Sequence, residues 1–366
     1  MKVDGEHRRT IWSSADGDVK IIDQVALPHR FEIATLRRMS DAARAIRDMH
    51  VRGAPLIGVT AAYGVALAMR DDPSDASLDE AGRTLHATRP TAVNLAWALA
   101  EMRRSLGPLA PSRRAAAAYE KADAMAEEDV ALCRAMAEHG LGLLRELAEA
   151  HGSRPVNVLT HCNAGWLAAV DWGTATAPIY AAHGAGLPVH VFVDETRPRN
   201  QGASLTAWEL GKHGVDHTVV VDNVGGHLMQ HGKVDCVIVG TDRTTATGDV
   251  CNKIGTYLKA LAAKANGIPF YVAAPSPSID FAIDNGVAEI PIEERGSEEV
   301  THMSGLTDAG EVARIRLVPE GSAVLNYAFD VTPADLVTGL ITERGVIPAT
   351  RAALASAFPE RARPRG

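Results

Sequence analysis

Short apolar segments recur along the second half of the chain, and their spacing limits the fold more than any other feature of the sequence. Helical patterns occupy most of the intervals of about 20 to 35 residues between them. Such alternation is typical of βαβ units, in which parallel strands form one sheet with helices on its faces. The segments are residues 156–159, 189–193, 218–221, 236–239 and 270–273. The sequence therefore predicts an α/β fold with a Rossmann-like parallel sheet.

Polar or turn residues follow each of these segments. They are residues 160–162, 194–196, 222–223, 241–242 and 275–276. In a doubly wound sheet the carboxyl ends of the strands lie along one edge, where ligands bind. We therefore expect the functional site among these residues.

The first part of the chain has a different pattern. Residues 112–150 are rich in Ala, Glu, Arg, Met and Leu at helical spacing, which predicts long helices. A chain of 366 residues also exceeds the size of about 250 to 300 residues at which single cores stop growing. We expect a smaller α-rich N-terminal domain at residues 1–128 and a catalytic domain at residues 129–366.

Composition and charge argue against several classes of protein. The formal net charge of -8 disfavours a nucleic-acid or anionic-membrane partner, which would normally require a basic stripe. Residues 1–12 lack the apolar core of a signal peptide, and no segment reaches the roughly 18 apolar residues of a membrane span. The four cysteines form no Cys-x-x-Cys pair, which disfavours a disulfide framework or a structural zinc site. We expect a cytoplasmic protein.

Residues 237–257 combine an acid with features of an anion site. Asp242 follows the predicted strand and Gly240, so its carboxyl group lies at the carboxyl end of that strand. After a loop rich in Thr and Gly, Asn252 and Lys253 precede a predicted helix, whose free N–H groups and dipole favour negative charge. This combination suits a phosphate-bearing substrate beside an acid. The alternative is that Asp242 caps a loop and Lys253 is a solvated surface charge.

Two arginines precede predicted helices in the N-terminal part of the chain. Arg52 stands beside Gly53 and Pro55, where the backbone can approach a ligand closely while the guanidinium group reaches a phosphate. Arg89 precedes a proline in a similar context. A Gly-Pro turn that only starts a helix is the alternative for such a position taken alone. The two arginines together favour an anion site.

Cys162 differs from the other cysteines because it lies between a predicted strand and a predicted helix. We expect this helix to begin near Ala164, so that its dipole activates an exposed thiol at the ligand-binding edge. An inert, buried cysteine in a turn is the alternative. A cysteine hydrolase would need a histidine aligned on the thiol, whereas His161 is adjacent in sequence and would point elsewhere.

Motifs for nucleotides and metals are missing or incomplete. Neither a Gly-x-Gly-x-x-Gly fingerprint after the first predicted strand nor a Walker-type loop occurs, so we expect no nucleotide cofactor. His227 and His231 have the four-residue spacing of a two-histidine metal site, but no obvious carboxylate ligand accompanies them. We therefore expect no metal.

A series of motifs from about residue 43 to residue 346 carries a resemblance to a known family. In order, the motifs are VRGAPLIG, TRPTAVNL, THCNAG, DETRPRNQGASLTAWEL, GTDRTTATGDVCNKIGTY, PFYVAAPSPSID, IPIEER and NYAFDVTP. They resemble the methylthioribose-1-phosphate isomerases of the methionine salvage pathway. That family is similar to the ribose-1,5-bisphosphate isomerases and to regulatory subunits of the exchange factor for translation initiation factor two. These subunits share the fold but are not enzymes, so the fold alone does not decide the function.

The resemblance implies an aldose–ketose isomerase that acts on a sugar phosphate without a cofactor. It also implies a homodimer in which the smaller N-terminal domain closes over the site. By motif match, Asp242 would be the proton donor and Cys162 the second catalytic group. The substrate's phosphate and hydroxyls would be held by Arg52, Gly53, Ala54, Arg89, Gln201, Asn252 and Lys253. Whether hydrogen moves through an enediol or as a hydride is left open.

The chain departs from the family pattern at Thr241, where many members have Ala, and at Thr247, where many have Asn. Both positions lie in the segment that carries Asp242. They leave the substrate's 5-substituent open, because a pocket that accepts methyl as well as methylthio would make 5-deoxyribose 1-phosphate a second substrate. Ribose 1,5-bisphosphate and a non-catalytic regulatory role are further alternatives.

Overall fold

The computed structural model describes residues 1–90, 92–152 and 154–362. Short strands come first: β1 (Lys2–Val3), β2 (Glu6–His7), β3 (Ile11–Ser13), β4 (Val19–Ile22) and β5 (Ile33–Leu36). Strands β1 and β2 form a hairpin, and β3, β4 and β5 form an antiparallel sheet. Helices follow: α1 (Met39–Arg47), α2 (Ala54–Asp71), α3 (Asp75–His86), α4 (Val93–Leu106) and α5 (Pro111–His151). The predicted helix-rich N-terminal region is confirmed.

Helix α2 lies at the centre of the N-terminal region. It packs against α1, α3, α4 and α5, and its residues from Leu56 to Met69 are all buried. A helix that is apolar on every side belongs inside a core, because it has no face suited to water. Pro55 occupies the first turn, where the N–H group that it lacks would have no helical partner.

Helix α5 is one uninterrupted helix of 41 residues, where the sequence predicts long helices. Ala118, Ala122 and Met125 pack into the N-terminal core. Cys133 and Met136 instead belong to the core beside the large sheet. The apolar contacts of α5 thus change from one core to the other near residue 130, while the domain boundary at residue 128 stays a prediction. No helix in the described ranges is long and apolar enough to cross a bilayer.

Strands and helices alternate through most of the remaining chain. The strands are β6 (Val156–Thr160), β7 (Val189–Asp194), β8 (His217–Val220), β9 (Cys236–Val239), β10 (Arg243–Thr245), β11 (Val250–Lys253), β12 (Phe270–Ala273), β13 (Ile279–Asp280), β14 (His302–Leu306), β15 (Val312–Arg316), β16 (Phe329–Thr332), β17 (Gly339–Thr342) and β18 (Gly345–Ile347). The helices are α6 (Ala177–Gly184), α7 (Ala207–His213), α8 (Gly225–Gln230), α9 (Thr256–Ala265), α10 (Gly286–Glu289), α11 (Glu298–Thr301), α12 (Arg351–Ala357) and α13 (Pro359–Ala362). Each predicted apolar segment forms a strand, with small shifts at some ends.

The large sheet has the strand order β18-β17-β12-β9-β6-β7-β8, and only its edge strand β18 is antiparallel to its neighbour. From β6 the chain adds β7 and β8 on one side, then returns to add β9, β12 and β17 on the other. This is the order of a doubly wound sheet, which binds ligands where the order reverses. The reversal places β6 beside β9, with Val158 opposite Cys236. The predicted α/β fold with a parallel sheet is confirmed.

A second sheet, of order β13-β10-β11-β16, follows β9. It corrects the expectation of a loop between Asp242 and Asn252, because β10 and β11 form an antiparallel pair there, with Thr244 opposite Val250. Strand β11 is also paired with β16, with Asn252 opposite Asp330. Because β16 is far from β11 in the sequence, this pairing leaves no local signal. The Thr- and Gly-rich pattern taken alone therefore predicts a loop.

Candidate functional site

A cavity lies where the strand order of the large sheet reverses. Its walls come from the loops after β6 and β9, the start of α2, the loop before α4, and β11. All the site residues that the sequence predicts line this cavity: Arg52, Gly53, Ala54, Arg89, Cys162, Gln201, Asp242, Asn252 and Lys253. Residues far apart in the sequence meet here because the crevice collects the ends of separate strands.

Cys162 is held in the cavity wall by neighbouring side chains. Its N–H donates to Oγ1 of Thr196 over 2.8 Å, and its carbonyl accepts from Oγ1 of Thr206 over 2.7 Å. The residue has a φ of 64°, a left-handed conformation that a non-glycine residue keeps only when its surroundings hold it. The thiol lies 3.5 Å from Oε1 of Gln201, to which it donates. The sulfur atom therefore has a fixed position beside the Gln201 amide.

The expectation of an α-helix near Ala164 is wrong. Within residues 154–176, apart from one 3-10 turn at Trp166–Ala168, the chain after β6 is a loop, and α6 begins only at Ala177. Gly165 forms a bridge with Gly173, and a Cβ atom at Gly165 would lie 1.4 Å from Oε1 of Glu209. These tertiary contacts keep the backbone extended, so Cys162 lies in a loop and not at a helix N-terminus.

Asp242 enters the cavity from the end of β9. Its backbone N–H donates to the carbonyl of Cys251 over 3.0 Å, which ties this residue to β11. Burial raises the pKa of the Asp242 carboxyl, although the positive charges of Lys253, Arg89 and Arg52 act in the opposite direction. The carboxyl group thus keeps its proton to a higher pH than a solvated aspartate does. Such a group is suited to donating a proton.

Cationic side chains lie around the Asp242 carboxyl. Nη1 of Arg52 donates to the backbone O and to Oδ1 of Asn163, at 2.7 and 2.6 Å. Nη2 of Arg89 donates to Oε2 of Glu293 at 2.8 Å. The Nε atoms of both arginines are buried and have no hydrogen-bond partner within the described chain. Buried donors of positive groups that lack a partner suit an anionic ligand.

Lys253 adds a further cation to the same wall. Burial lowers the pKa of its ammonium group, while the neighbouring Asp242 acts to raise it. Beside it on β11, Asn252 donates from Nδ2 to Oγ1 of Thr256 at 3.0 Å, which fixes the orientation of the amide. These two residues therefore present a cation and an oriented amide at one side of the cavity.

The N-terminus of α2 completes the wall. Gly53 has a φ of 95°, and a Cβ atom there would lie 2.5 Å from Cβ of Ala168, so only glycine fits. Ala54 is the first residue of the helix, whose first N–H groups have no partner within it. Such N–H groups bind anions well when they face a cavity.

Arg199 and Arg295 also line the cavity but are not among the predicted site residues. Arg199 donates to Oε1 of Glu299 at 2.9 Å, and Arg295 donates to both Glu299 and Glu293 at 2.8 Å. Because Glu293 also holds Arg89, charges of alternating sign run along this wall. The sequence signal for both arginines is their place in the motifs DETRPRNQG and IPIEER.

His161 directs both ring nitrogens at groups other than Cys162. Nδ1 lies 3.0 Å from Oδ2 of Asp194, and Nε2 lies 2.8 Å from the carbonyl oxygen of Ile254. A cysteine hydrolase needs an imidazole nitrogen that accepts the thiol proton. The geometry therefore argues against that alternative.

His161, Asp194 and Asp222 lie close enough together to share a metal ion. However, Nζ of Lys259 lies 3.2 Å from Oδ2 of Asp194 and already supplies a positive charge. The Asp222 carboxylate accepts from the N–H groups of residues 196 and 197 at 2.7 Å. An ion pair and loop capping account for this cluster, which does not fit a metal site.

The Initiation factor 2 subunit family matches residues 50–349 of the chain. The chain is 67% identical over 363 residues to the methylthioribose-1-phosphate isomerase of Methylocella silvestris, with 99% of each protein covered. It is 64% identical over 363 residues to the methylthioribose-1-phosphate isomerase of Cereibacter sphaeroides, again with 99% of each covered. The similarity thus extends over nearly the whole sequence.

Solved structures show a similar relationship. The 5-methylthioribose 1-phosphate isomerase from Pyrococcus horikoshii OT3 matches with a TM-score of 0.83 and 38% identity over 97% of each chain. The translation initiation factor eIF-2B, subunit delta, from A. fulgidus matches with a TM-score of 0.80 and 38% identity, covering 96% of this chain and 100% of the other. The fold is thus shared by a protein described as an enzyme and by one described as a translation factor.

Proposed function

We propose a reaction for this chain from its membership of the Initiation factor 2 subunit family and, within that family, of the methylthioribose-1-phosphate isomerases. The chain converts 5-methylthioribose 1-phosphate to 5-methylthioribulose 1-phosphate in methionine salvage. The observation that carries the proposal is that Asp242, Cys162 and several cationic groups line one cavity together. The reaction is an aldose–ketose isomerisation, so hydrogen moves within the substrate and no external oxidant or reductant is needed.

The proposed substrate requires an acid. A phosphate on C1 holds the sugar as a ring, because it prevents the spontaneous opening that free aldoses undergo. Asp242 would protonate the ring oxygen as the ring opens, with the phosphate still attached. The raised pKa of Asp242 supports this role, since the carboxyl group must hold a proton near neutral pH before it can donate one.

Cys162 would act in the second step, in which hydrogen moves from C2 to C1. In an enediol route the cysteine would serve as an acid/base group for protons on carbon. In a hydride route it would only support a direct transfer between the two carbons. The fixed position of its thiol in the cavity wall beside Gln201 supports a part in either route.

The substrate's phosphate and hydroxyl groups would be held by the remaining predicted residues. Support for phosphate binding comes from the unpartnered, buried Nε atoms of Arg52 and Arg89 and from the free N-terminus of α2 at Gly53 and Ala54. Gln201, Asn252 and Lys253, which line the same cavity, would complete the contacts. The N-terminal domain, residues 1–128, would close over the catalytic domain, residues 129–366, and exclude water.

We also propose a cytoplasmic homodimer. Large apolar side chains are exposed on α9 and beside it: Leu258 and Leu261 are 59% and 40% exposed, and Leu325 and Tyr327 are 70% and 48% exposed. Such a patch suits a subunit interface. The four unpaired cysteines agree with a reducing compartment. Light scattering during size-exclusion chromatography should give twice the mass of one chain for the wild-type protein. The Leu258→Glu variant should give the mass of one chain.

A non-catalytic regulatory role is the second candidate, since a translation-factor subunit shares 38% identity with the chain. A subunit without catalysis would not need an acid of raised pKa, a fixed thiol and unpartnered cations in one cavity. Their combination favours the isomerase. Two other sugar phosphates, 5-deoxyribose 1-phosphate and ribose 1,5-bisphosphate, are alternative substrates of the same chemistry.

A phosphorus NMR time course tests the proposal directly. The purified protein is incubated with methylthioribose 1-phosphate, with and without a chelator and without nucleotide. We expect the glycosyl phosphate signal to be replaced by that of a ketose 1-phosphate, at the same rate in both samples. No conversion would call for the two alternative sugars, and failure on all three substrates would favour the regulatory role.

A further inference from the structure

Glu209 lies beneath the cavity, on α7, and is completely buried. Its Oε2 accepts from Nδ2 of Asn163 and from the backbone N–H of Leu167, both at 3.2 Å. Its Oε1 accepts from Oγ1 of Thr176 at 3.3 Å. Gly165 lies directly against the carboxylate, where any side chain would collide with it. Glu209 thus supports the loop that carries Cys162, although it does not line the cavity itself.

The hydrogen bonds in this region have a fixed direction. Nδ2 of Asn163 donates to Glu209 and, at 3.1 Å, to Oγ1 of Thr206, whose own proton goes to the carbonyl of Cys162. Both partners of Nδ2 are therefore acceptors. The other end of the amide, Oδ1, then faces Nη1 of Arg52, and a guanidinium group only donates. A one-way chain of donors runs from Arg52 through Asn163 to Glu209.

The chain ends on an acceptor, and an ionised carboxylate accepts more strongly than a neutral group does. A carboxylate is costly to bury, and burial raises the pKa of Glu209 to about 7. Glutamine has almost the same shape but no charge. Because the N–H of Leu167 also donates to the atom that faces Asn163, glutamine would keep its oxygen there and hold the Asn163 amide by neutral hydrogen bonds. Charge-assisted hydrogen bonds are roughly twice as strong as neutral ones, so this substitution weakens the hold of residue 209 on Asn163.

We propose that Glu209 is a positioning residue, which fixes the Asn163 amide and through it holds Arg52 where its free N–H groups meet the substrate's phosphate. The inference rests on the proposed function and adds to it a residue outside the cavity. Arg52 keeps a second bond to the backbone carbonyl of Asn163, so the loss of Glu209 should loosen the guanidinium group without releasing it.

A double-mutant cycle tests the proposal. We expect Glu209→Gln to raise KM for methylthioribose 1-phosphate about tenfold, with kcat within threefold of wild type, because a charge-assisted contact in the bound state is weakened. In an Arg52→Ala background the same change should alter KM by less than twofold, since the group that Glu209 positions is gone. An equal loss in both backgrounds would mean that Glu209 only supports the fold, and would overturn the proposal.

Two further variants serve as a control and as a replacement for Glu209→Gln. Asp129→Asn is the matched control, because it also neutralises a buried carboxyl, whose hydrogen bond goes to the N–H of Val170, outside this chain of donors. It should leave KM unchanged. If Glu209→Gln does not fold, Asn163→Ala breaks the same chain one step closer to Arg52 and should raise KM about tenfold by the same contact. A KM within twofold of wild type for this variant would contradict the proposal.

A binding measurement separates this inference from the proposed function. Calorimetry with inorganic phosphate reports on Arg52 whichever sugar is the substrate, and Glu209→Gln should weaken that binding about tenfold, as the loss of one charge-assisted contact does. Wild-type protein that binds phosphate but converts no sugar phosphate would defeat the proposed function only. Wild-type protein that turns over substrate, with phosphate binding and KM unaffected by Glu209→Gln, would defeat the positioning role only.

Discussion

Cys162 and Asp242 follow neighbouring parallel strands, β6 and β9, at the point where the strand order of the large sheet reverses. Each group leaves a different strand end, yet both line one cavity. Because the two strands are hydrogen-bonded to each other, the segments that carry the two groups leave the sheet side by side. The arrangement suits a reaction with two chemically distinct steps, ring opening and hydrogen transfer.

Asp242→Asn should remove the proposed acid while keeping the shape of the side chain. We expect kcat to fall by about 10² to 10⁴, the usual contribution of general acid catalysis. In the wild type, kcat should also fall as pH rises through the raised pKa of Asp242, because only the protonated form donates. Rates measured across the pH range would show this limb, with circular dichroism as the check on folding. A folded variant with a near wild-type rate would remove the acid role.

Cys162→Ala should lower kcat by about 10² or more if the thiol has the proposed acid/base role, since the substitution removes the thiol without disturbing the backbone hydrogen bonds at that position. Cys133→Ala is the matched control, because Cys133 is equally buried in α5 but does not line the cavity. The values of kcat for the two variants are measured with methylthioribose 1-phosphate as substrate. Equal, small losses in both variants would mean that Cys162 is an inert core cysteine.

The sequence predicts much of this site because strand ends have a local pattern. The apolar segment of β9, ended by Gly240, locates Asp242 without knowledge of any partner. The surroundings of Cys162 are different, since the expected helix is replaced by a loop that Glu209 and Gly173 shape from other parts of the chain. Arg295 is missed for a related reason. Its position depends on Glu299 and Glu293, which are near in sequence, and ion pairs at such short spacing are common at surfaces without a ligand site.

Arg52→Ala should act mainly on substrate binding. A hydrogen bond to a charged group contributes about 1.5 to 3 kcal/mol, so KM should rise roughly tenfold to a hundredfold with little change in kcat. Arg44→Ala is the control, because Arg44 lies on an exposed face of α1 and pairs with Asp41. Initial rates over a range of substrate concentrations give both constants. An unchanged KM would argue against a contact between Arg52 and phosphate.

Asp129→Asn should stabilise the protein at high pH. Burial, with a further contribution from the charge of Asp171, raises the pKa of Asp129 from 3.8 to about 7. Because the folded pKa exceeds the unfolded one, the native state is favoured by protonation, and this stability is lost as pH rises toward 7. One pKa unit corresponds to about 1.4 kcal/mol. The free energy of unfolding of the variant, relative to that of wild type, should therefore increase by up to about 4 kcal/mol between pH 4 and pH 8.

Urea unfolding at several pH values measures this gain. Asp308→Asn, at an exposed position, is the control and should follow the wild-type pH dependence. If Asp129→Asn and wild type lose stability in parallel between pH 4 and pH 8, the carboxyl of Asp129 does not titrate as its burial requires.

Thr241 and Thr247, the two departures from the family pattern, should have little influence on the choice of 5-substituent. Thr241 lines the cavity, but its hydroxyl group lies 3.0 Å from Oγ1 of Thr244 and donates to the carbonyl of Cys251 at 3.3 Å. Thr247 bonds to Thr245 and to the carbonyl of Asp284, outside the cavity wall. Each hydroxyl therefore already has two polar partners within the protein.

The ratio of kcat/KM for methylthioribose 1-phosphate to that for 5-deoxyribose 1-phosphate measures this choice. We expect Thr241→Ala and Thr247→Asn to keep the ratio within about threefold of wild type, because each added or lost apolar group changes such ratios roughly 10- to 200-fold only where it touches the substituent. A wild-type ratio above about a thousand would exclude use of both sugars. A tenfold change in the ratio for Thr241→Ala alone would instead place the 5-substituent against residue 241. The Thr241 side chain, which this chain has where many family members have Ala, would then set the specificity.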